Sequence, residues 1–400
     1  MSTLAIDGGK PTRTEAFPEW PYYDEAEEKA LLGVLHSKKW GLGGTQVDTF
    51  AERFAEFQDA KYGVCVPNGT HSLQLALRTL GIGHGDEVIT VPFTFIATVS
   101  PILWVGAKPV FVDIEWDSFN MDASKIEDVI TERTKAIMPV HLGGRPANMD
   151  GILAVAKKHN LAVIEDACQA WGGQWRDQGV GAIGHVGGFS FQSSKNINAG
   201  EGGIMLTNDS ELYERAWSLH NVGRVKGATS FELEILGGNM RMTEWVAAIL
   251  NVQFDRLPAQ MARRQDNARY LSEAISEVSG LEPLAQDDRI TSDAYHVYRL
   301  RYDSEAFGGK SRDEFVAAMR EEGITTCSPG YQHPLSTSKA IHNEMTKQFG
   351  PDSVPDAEDY PITTKASQEG FWLYQSTLLA EHSDMDSVVE AAQKIQTAWS

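Results

Sequence analysis

One lysine stands between a short apolar segment and a glycine-rich loop, in the stretch FSFQSSKNINAGEGGIMLTND. A lysine amine forms a Schiff base with an aldehyde, and burial favours this reaction because it lowers the pKa of the amine and frees the neutral form. Lys195 is therefore the candidate nucleophile. A lysine near a strand end is more often a solvated surface charge, so the assignment depends on the segments around it.

Two further segments place polar groups directly after predicted strands. In VIEDACQAWGG, the Asp166 carboxylate follows a strand and can pair with a protonated pyridine nitrogen, whereas neighbouring Glu165 has no assigned role. In VPNGTH, Gly69 and Thr70 open a helix whose free N–H groups suit a phosphate, and Ser190 adds a hydroxyl from another strand end. Either segment could also be an ordinary helix cap.

An aromatic segment, VPFTFIAT, ends another predicted strand. Phe95, with Phe93 as second choice, could stack on a planar ring, although aromatic residues in such a run usually belong to the core. Together the segments supply an amine, a partner for a pyridine nitrogen, a phosphate-binding helix start and a stacking ring. This combination predicts a site for pyridoxal 5'-phosphate.

Short segments rich in Val, Ile or Phe alternate with helical stretches, which is typical of an α/β fold with a mostly parallel sheet flanked by helices. The predicted strands are Gly63–Val66, Glu87–Val91, Lys108–Val112, Ala136–Val140, Ala162–Glu165, Gly188–Phe191 and Gly203–Thr207. Crossover helices are predicted over 70–80 and 149–159. Ligands of such sheets bind beyond the carboxyl ends of the strands, where the candidate groups lie.

The chain has 400 residues, which exceeds the usual size of a single core. We expect a large α/β domain over 1–260, including the N-terminal segment, and a smaller C-terminal α+β domain over 261–400. A long helical stretch covers 243–279, in which Pro258 is expected to kink or break the helix. The N-terminal segment is expected to pack beside the C-terminal part.

Composition argues against several classes of protein. A formal net charge of −20 disfavours nucleic acid and anionic membrane surfaces as partners, and no uncharged apolar stretch of about 18 residues suggests a membrane span. Cys65, Cys168 and Cys327 lie far apart and are odd in number, so neither a disulfide framework nor a Cys-type zinc site is expected. We expect a cytoplasmic protein without a metal.

The chain resembles the DegT/StrS family of sugar aminotransferases, within the aspartate-aminotransferase fold type of pyridoxal-phosphate enzymes. The resemblance runs from IDGGKP through WGLGGTQVDTFAERFAEF, NGTHSLQLAL, GDEVITVPFTFIATVSPI, AIMPVHLGG and GGNMRMTEWVAAI to YQHPL. The lysine segment and VIEDACQAWGG are its most diagnostic parts. It implies fold type I of these enzymes, with a seven-stranded, mostly parallel sheet in the large domain.

The resemblance implies that Lys195 carries the cofactor as a Schiff base, that Asp166 pairs with the pyridine nitrogen and that Gln169 hydrogen-bonds the phenolic oxygen. The other implied cofactor contacts are phosphate ligands and a stacking ring, namely Gly69, Thr70, Ser190, Phe95 and Asn239 of the partner subunit. A homodimer with shared active sites follows. Tyr331, His333 and Arg241 lie in segments that the family brings near the pocket, although His333 could merely be a turn residue before Pro334.

The implied reaction is ping-pong transfer of an amino group from L-glutamine or L-glutamate to a ketone of a cyclitol, such as a scyllo-inosose, or of a sugar. Dehydratases of the family replace the lysine by histidine, so Lys195 favours transamination. Gln169 resembles the inosose type, whereas the benzoate type is expected to carry histidine. The alternatives are a nucleotide-keto-sugar aminotransferase, a lyase or dehydratase like 3-amino-5-hydroxybenzoate synthase, and a non-catalytic regulatory protein that binds pyridoxal phosphate.

Overall fold

Strands and helices alternate through the first half of the chain, as the sequence predicts. The computed structural model describes residues 3–228, 233 and 235–400. The strands are β1 (Tyr62–Val66), β2 (Glu87–Thr90), β3 (Lys108–Phe111), β4 (Thr134–Ile137), β5 (Ala162–Asp166), β6 (Gln174–Trp175), β7 (Gln178–Gly179), β8 (Val186–Ser190), β9 (Gly203–Thr207), β10 (Leu281–Pro283), β11 (Ile290–Ser292), β12 (Val297–Tyr302), β13 (Cys327–Ser328) and β14 (Gly370–Tyr374). The α-helices are α1 (Glu25–Ser37), α2 (Gln46–Phe57), α3 (Gly69–Thr79), α4 (Ser100–Trp104), α5 (Met149–His159), α6 (Ser210–His220), α7 (Glu244–Ile275), α8 (Arg312–Glu321), α9 (Lys339–Phe349), α10 (Pro361–Glu369) and α11 (His382–Trp399).

A seven-stranded sheet forms the centre of the large domain, in the order β1-β9-β8-β5-β4-β2-β3. β3, β2, β4, β5 and β8 run parallel, and β9 is antiparallel to both of its neighbours. The α/β fold with a mostly parallel sheet is thereby confirmed, with strand ends within three residues of those predicted. β8 and β9 are buried throughout, as expected for strands covered by helices on both faces.

The two predicted crossover helices are present as α3 and α5. Each helix is preceded by an asparagine whose side chain accepts a hydrogen bond from a backbone amide of the first turn: Asn68 from His71, and Asn148 from Gly151. These caps satisfy amides that have no partner within the helix. Of the part of the chain that the structure describes, no helix is both long and apolar enough to cross a lipid bilayer.

Pro258 does not break the long helix that follows the sheet. α7 continues from Glu244 to Ile275 with Pro258 inside it. A proline removes one backbone hydrogen bond and crowds the preceding turn. Phe254, Leu257 and Met261 are nevertheless buried in the core of the large domain, so packing on both sides of the proline outweighs that local cost.

A second core lies in the C-terminal part, around the antiparallel sheet β10-β12-β14-β13. α7 contributes to both cores, since residues up to Met261 pack with the first and residues from Ala268 onward with the second. We propose that the domain boundary lies inside this helix, near residue 260. Leu4 and Phe17 are also buried in the second core, so the N-terminal segment packs beside the C-terminal part.

Glu322 fastens the N-terminal segment to the second domain. Its fully buried carboxylate accepts hydrogen bonds from the amides of Ala5 and Thr12, at 2.8 and 2.9 Å, and from Lys394 Nζ at 2.7 Å. Burial alone would raise the pKa of Glu322, but these hydrogen bonds outweigh it and hold the pKa below its ordinary value. The segment is therefore held by a charged carboxylate.

Glu322→Gln should loosen the N-terminal segment. Each hydrogen bond to a charged group is worth about 1.5–3 kcal/mol, so amide exchange of residues 4–13 should accelerate about tenfold or more at pH 7, as hydrogen-exchange mass spectrometry would measure. Because the folded pKa of Glu322 lies below 4.5, the advantage of the wild-type carboxylate is present above pH 4.5 and is lost as the pH falls through the folded pKa. The exposed neighbour Glu321, changed to Gln, is the control. Equal protection in both variants at pH 7 would refute the anchoring role.

Candidate cofactor and active site

Lys195 lies in the loop that follows β8, within reach of buried polar groups. Its Nζ is 3.5 Å from Nε2 of His296 and 5.8 Å from the centre of the Trp171 ring. Burial lowers the pKa of Lys195, although the nearby Cys168 and Asp166 act in the opposite direction. This site therefore favours the neutral, nucleophilic amine more than solvent does.

Asp166 is the last residue of β5, and its carboxylate is 5% exposed. Oδ2 accepts a hydrogen bond from Thr98 Oγ1 at 2.7 Å, and Oδ1 accepts one from the Cys168 amide at 3.2 Å. Both donors are neutral. These bonds orient the carboxylate but do not pair it with a cation. It therefore remains available to pair with a protonated pyridine nitrogen.

Glu165, for which the sequence predicts no role, points to the other side of the sheet because side chains alternate along a strand. Its fully buried carboxylate accepts hydrogen bonds from the amides of Gly181, Ile183 and Gly184 at 2.7, 2.9 and 2.6 Å. His141 Nε2 lies 2.9 Å from the same carboxylate. Glu165 therefore fixes the loop before β8 and takes no part in the Lys195 site.

The start of α3 lies directly against the end of β8. A methyl group built on Gly69 would lie 2.6 Å from Ser190 Cβ and 2.9 Å from Cys168 Sγ, so only glycine fits there without a shift. Thr70 is the next residue of the helix. The structure thus brings Gly69, Thr70 and Ser190 together at a helix N-terminus, which is a favourable place for a phosphate.

Phe95, rather than Phe93, is available to stack on a ligand. Phe95 is 57% exposed, whereas Phe93 is 2% exposed and packs edge-on against Tyr331, with ring centres 5.8 Å apart. The Phe95 carbonyl accepts the amide of Thr98, whose hydroxyl binds Asp166. Phe95 therefore belongs to the same tight turn as the residue that binds the carboxylate.

Gln169 and Tyr331 lie together, although they are far apart in the sequence. Gln169 Oε1 accepts the Gly143 amide at 2.8 Å, and its Nε2 donates to the Tyr331 hydroxyl at 3.3 Å. His333 is exposed two residues beyond Tyr331. Burial raises the pKa of Tyr331 above its ordinary value, so this hydroxyl stays protonated as a hydrogen-bond donor.

Asn239 and Arg241 lie elsewhere in the subunit. They line a cavity of about 960 Å³ beside the edge strand β1, whose walls do not include Lys195 or Asp166. Arg241 Nη1 donates to Asn221 Oδ1 at 3.0 Å, and Asn221 pairs with Asn239 through the backbone. Within one subunit, these two candidate residues do not join the Lys195 site.

The sequence analysis did not identify three residues of this site: Thr98, Asn196 and His296. Thr98 belongs to the quoted aromatic segment and Asn196 follows the lysine, so their positions offered some signal. His296 lies about a hundred residues after Lys195, in a segment with no motif of its own. In the described parts of the chain, no three His, Cys, Asp or Glu side chains are grouped to hold a metal ion, and the three cysteines are free thiols.

These residues fit pyridoxal phosphate. The close approach at Gly69 leaves the amides of a helix start beside the Ser190 hydroxyl, and Asp166 offers a charged carboxylate held by neutral donors. Lys195 supplies a partly desolvated amine from the loop that follows β8, the strand next to that of Asp166. Together they match the phosphate, pyridine nitrogen and aldehyde of one molecule.

The chain is similar to known aminotransferases over almost its whole length. Residues 21–393 match the model of the DegT/DnrJ/EryC1/StrS aminotransferase family. A Micromonospora echinospora protein, provisionally named L-glutamine:3-amino-2,3-dideoxy-scyllo-inosose aminotransferase, is 38% identical over 98% of this chain and 97% of its own length.

Two solved structures are similar over almost the whole chain. The crystal structure of 3-amino-5-hydroxybenzoic acid synthase has a TM-score of 0.87 and 30% identity, covering 97% of this chain and all of the other. The pyridoxal-phosphate form of a Streptococcus pneumoniae protein, provisionally named a sugar aminotransferase, has a TM-score of 0.84 and 27% identity, and it covers 97% of this chain and 100% of the other.

Gly69→Ala should weaken cofactor binding. The added methyl group must displace Ser190 or the start of α3, and such overpacking costs about 1–3 kcal/mol, so the Kd for pyridoxal phosphate should rise about tenfold or more. Absorbance titration of the apoprotein measures this. Gly83→Ala, where the nearest atom to an added methyl group is the Val105 carbonyl oxygen at 3.5 Å, is the matched control. An unchanged Kd in Gly69→Ala would rule out a close phosphate at this helix start.

Proposed function

The chain belongs to the DegT/DnrJ/EryC1/StrS aminotransferase family, and we propose that it transfers an amino group from L-glutamine, or L-glutamate, to a ketone of a cyclitol related to scyllo-inosose. It is a pyridoxal-phosphate-dependent aminotransferase. The observation that carries the proposal is the close approach of Lys195, Asp166 and the start of α3, all of which lie near Cys168. The name of the Micromonospora relative supports both the donor and the class of acceptor.

Pyridoxal phosphate, when bound, supplies an aldehyde for amines and a ring that accepts electrons. Lys195 would hold that aldehyde until the donor amine replaces it. Its freed Nζ would then move the proton from the α-carbon of the donor to the carbon that bore the aldehyde, and water would release the keto product. In the second half, the acceptor ketone would lose its oxygen as water, and Nζ would move a proton from the same carbon to the former ketone carbon. Because the keto product leaves before the acceptor binds, the kinetics are ping-pong.

Asp166 would pair with the ring nitrogen and keep a proton on it, which would help the ring to accept electrons from the α-carbon. The hydrogen bonds from Thr98 and the Cys168 amide orient the carboxylate for this role. Gln169 binds the phenolic oxygen and Phe95 covers the ring. The phosphate would be bound by Gly69, Thr70 and Ser190, because the start of α3 lies against Ser190.

The acceptor is a polyhydroxylated ring, and its hydroxyl groups need hydrogen-bonding partners. Tyr331, joined to Gln169 beside the cofactor position, offers a protonated hydroxyl. His333 is exposed nearby and can contact a ligand that enters from solvent. We propose that these two side chains and Arg241 of the partner subunit bind the substrates.

We also propose a homodimer with shared sites. Large apolar side chains are exposed on and after α1: Leu32, Leu35, Trp40 and Leu42, of which Leu42 also lines the cavity that contains Asn239. An exposed apolar patch at the mouth of a cavity is typical of a protein interface. In this arrangement, Asn239 of one subunit reaches the phosphate in the other.

L-Glutamine alone should convert the holoprotein. We expect release of one equivalent of 2-oxoglutaramate per site with a change in the visible absorption of the cofactor, and scyllo-inosose should then restore the original spectrum. Lys195→Ala should abolish both changes, because no amine remains to move the proton, whereas Lys157→Ala on the surface should change neither.

The other outcomes separate the alternatives. Restoration by a nucleotide-linked keto-sugar but not by an inosose would assign the nucleotide-sugar reaction. Consumption of a sugar without any keto acid from the donor would indicate a lyase or dehydratase. A cofactor spectrum that no amino donor changes would leave a regulatory protein and contradict the proposal.

Complementation between two inactive variants tests the shared site. Asn239→Asp places a negative charge against the phosphate of the other subunit, so it and Lys195→Ala should each be inactive. Hybrid dimers of the two contain one intact site, and a 1:1 mixture after joint refolding should recover roughly one quarter of wild-type activity. Lys195→Ala with Asp166→Ala, two defects of the same subunit's site, is the control and should recover none. No recovery in either mixture would place Asn239 outside the partner's site.

A further inference from the structure

His296 is a buried histidine in direct contact with Lys195. It precedes β12, its Nε2 lies 3.5 Å from Lys195 Nζ, and its ring packs edge-on against Trp171 with centres 5.6 Å apart. The ring is 8% exposed. No step of the proposed reaction has used this side chain so far, and its motif-free segment gave no reason to expect it at the site.

The hydrogen bonds around His296 fix which ring nitrogen carries the proton. Asn196 Nδ2 donates to the Ala294 carbonyl at 2.7 Å, so Asn196 Oδ1 must face the histidine. This oxygen lies 3.3 Å from His296 Nδ1 and can only accept a hydrogen bond. Nδ1 therefore carries the proton, and Nε2 presents a lone pair to Lys195.

The charges that face His296 keep it neutral. Burial lowers its pKa well below the ordinary value, and the cations Lys195, Arg264 and Arg299 act in the same direction. Arg264 belongs to α7 and Arg299 to β12, and the remaining contacts, with Trp171 and Asn196, are uncharged. A neutral imidazole orients an amine by a hydrogen bond without the charge of a carboxylate, which would hold the lysine as an ammonium ion.

We propose that His296 is a positioning residue for Lys195: its Nε2 accepts a hydrogen bond from Nζ, and Asn196 sets the tautomer that makes this possible. The inference rests on the proposed role of Lys195 in transamination. It assigns His296 the task of holding the amine in one direction while leaving it free to give and take protons at the substrate carbon.

Two amide substitutions separate this role from simple packing. The substitutions are His296→Gln and His296→Asn. Both introduce a polar, uncharged side chain, but only the carbonyl oxygen of glutamine reaches the position of Nε2. The asparagine variant can replace only the Nδ1 side of the ring.

The first readout needs neither substrate nor cofactor. Competitive acetylation of the apoprotein with acetic anhydride over a pH series gives the apparent pKa of Lys195 by peptide mass spectrometry, with exposed Lys157 as internal standard. An ammonium ion loses more than an amine when an acceptor is removed, so the pKa of Lys195 should fall in His296→Asn and return toward the wild-type value in His296→Gln.

The second readout is steady-state kinetics of the holoprotein. His296→Asn should lower kcat on the order of tenfold to a hundredfold with little change in KM for the amino donor, because a misdirected amine slows proton transfer without weakening binding. His296→Gln should recover most of kcat. If both variants keep the wild-type pKa of Lys195, or lose activity equally, His296 is only a packing residue. The acetylation result stands whichever donor and acceptor the enzyme uses, so failure of the substrate assignment is distinguishable from failure of this proposal.

Discussion

The parallel pairing of β5 with β8 is the constraint on which the candidate site depends. Asp166 stands opposite Gly188 in this ladder, so the carboxylate and the Lys195 loop leave the sheet on neighbouring strands. A slip of one residue would exchange the two faces of β5 and turn Glu165 toward the cofactor position instead of Asp166. The three amides bound by Glu165 fix this register from the opposite side. By fixing the register of β5, the Glu165 carboxylate thus determines the side of the sheet on which the Asp166 carboxylate lies.

Close packing of α3 on β8 completes the arrangement. A methyl group built on Gly188 would lie 2.6 Å from Ser72 Oγ and 2.8 Å from Leu73 Cδ2, so the helix can lie this near the strand only because residue 188 is glycine. The same approach brings the first amides of α3 to Ser190. Because β8 has a glycine at residue 188, α3 packs close to it, and the positive end of the α3 dipole lies at the end of β8.

Local sequence patterns predicted the parts of the fold that local physics decides. Apolar runs and polar residues at strand ends are short-range signals. They indicated the sheet, α3 and α5, and they singled out Lys195 and Asp166 as candidates. The continuity of α7 through Pro258 depends on burial by distant residues, which a local pattern does not show. His296 reaches Lys195 only through tertiary packing, and no pattern within its own segment could announce it.

The N-terminal segment connects more of the molecule than its docking on Glu322 suggests. Trp20 Nε1 donates to the Lys195 carbonyl at 3.1 Å, and the guanidinium of buried Arg264 lies over the Trp20 ring. The N-terminal segment thus contacts the second domain through Glu322 and the lysine loop through Trp20. A fused tag or a truncation at the start of the chain would therefore act on the lysine loop through the backbone, at a distance from every group that touches a ligand.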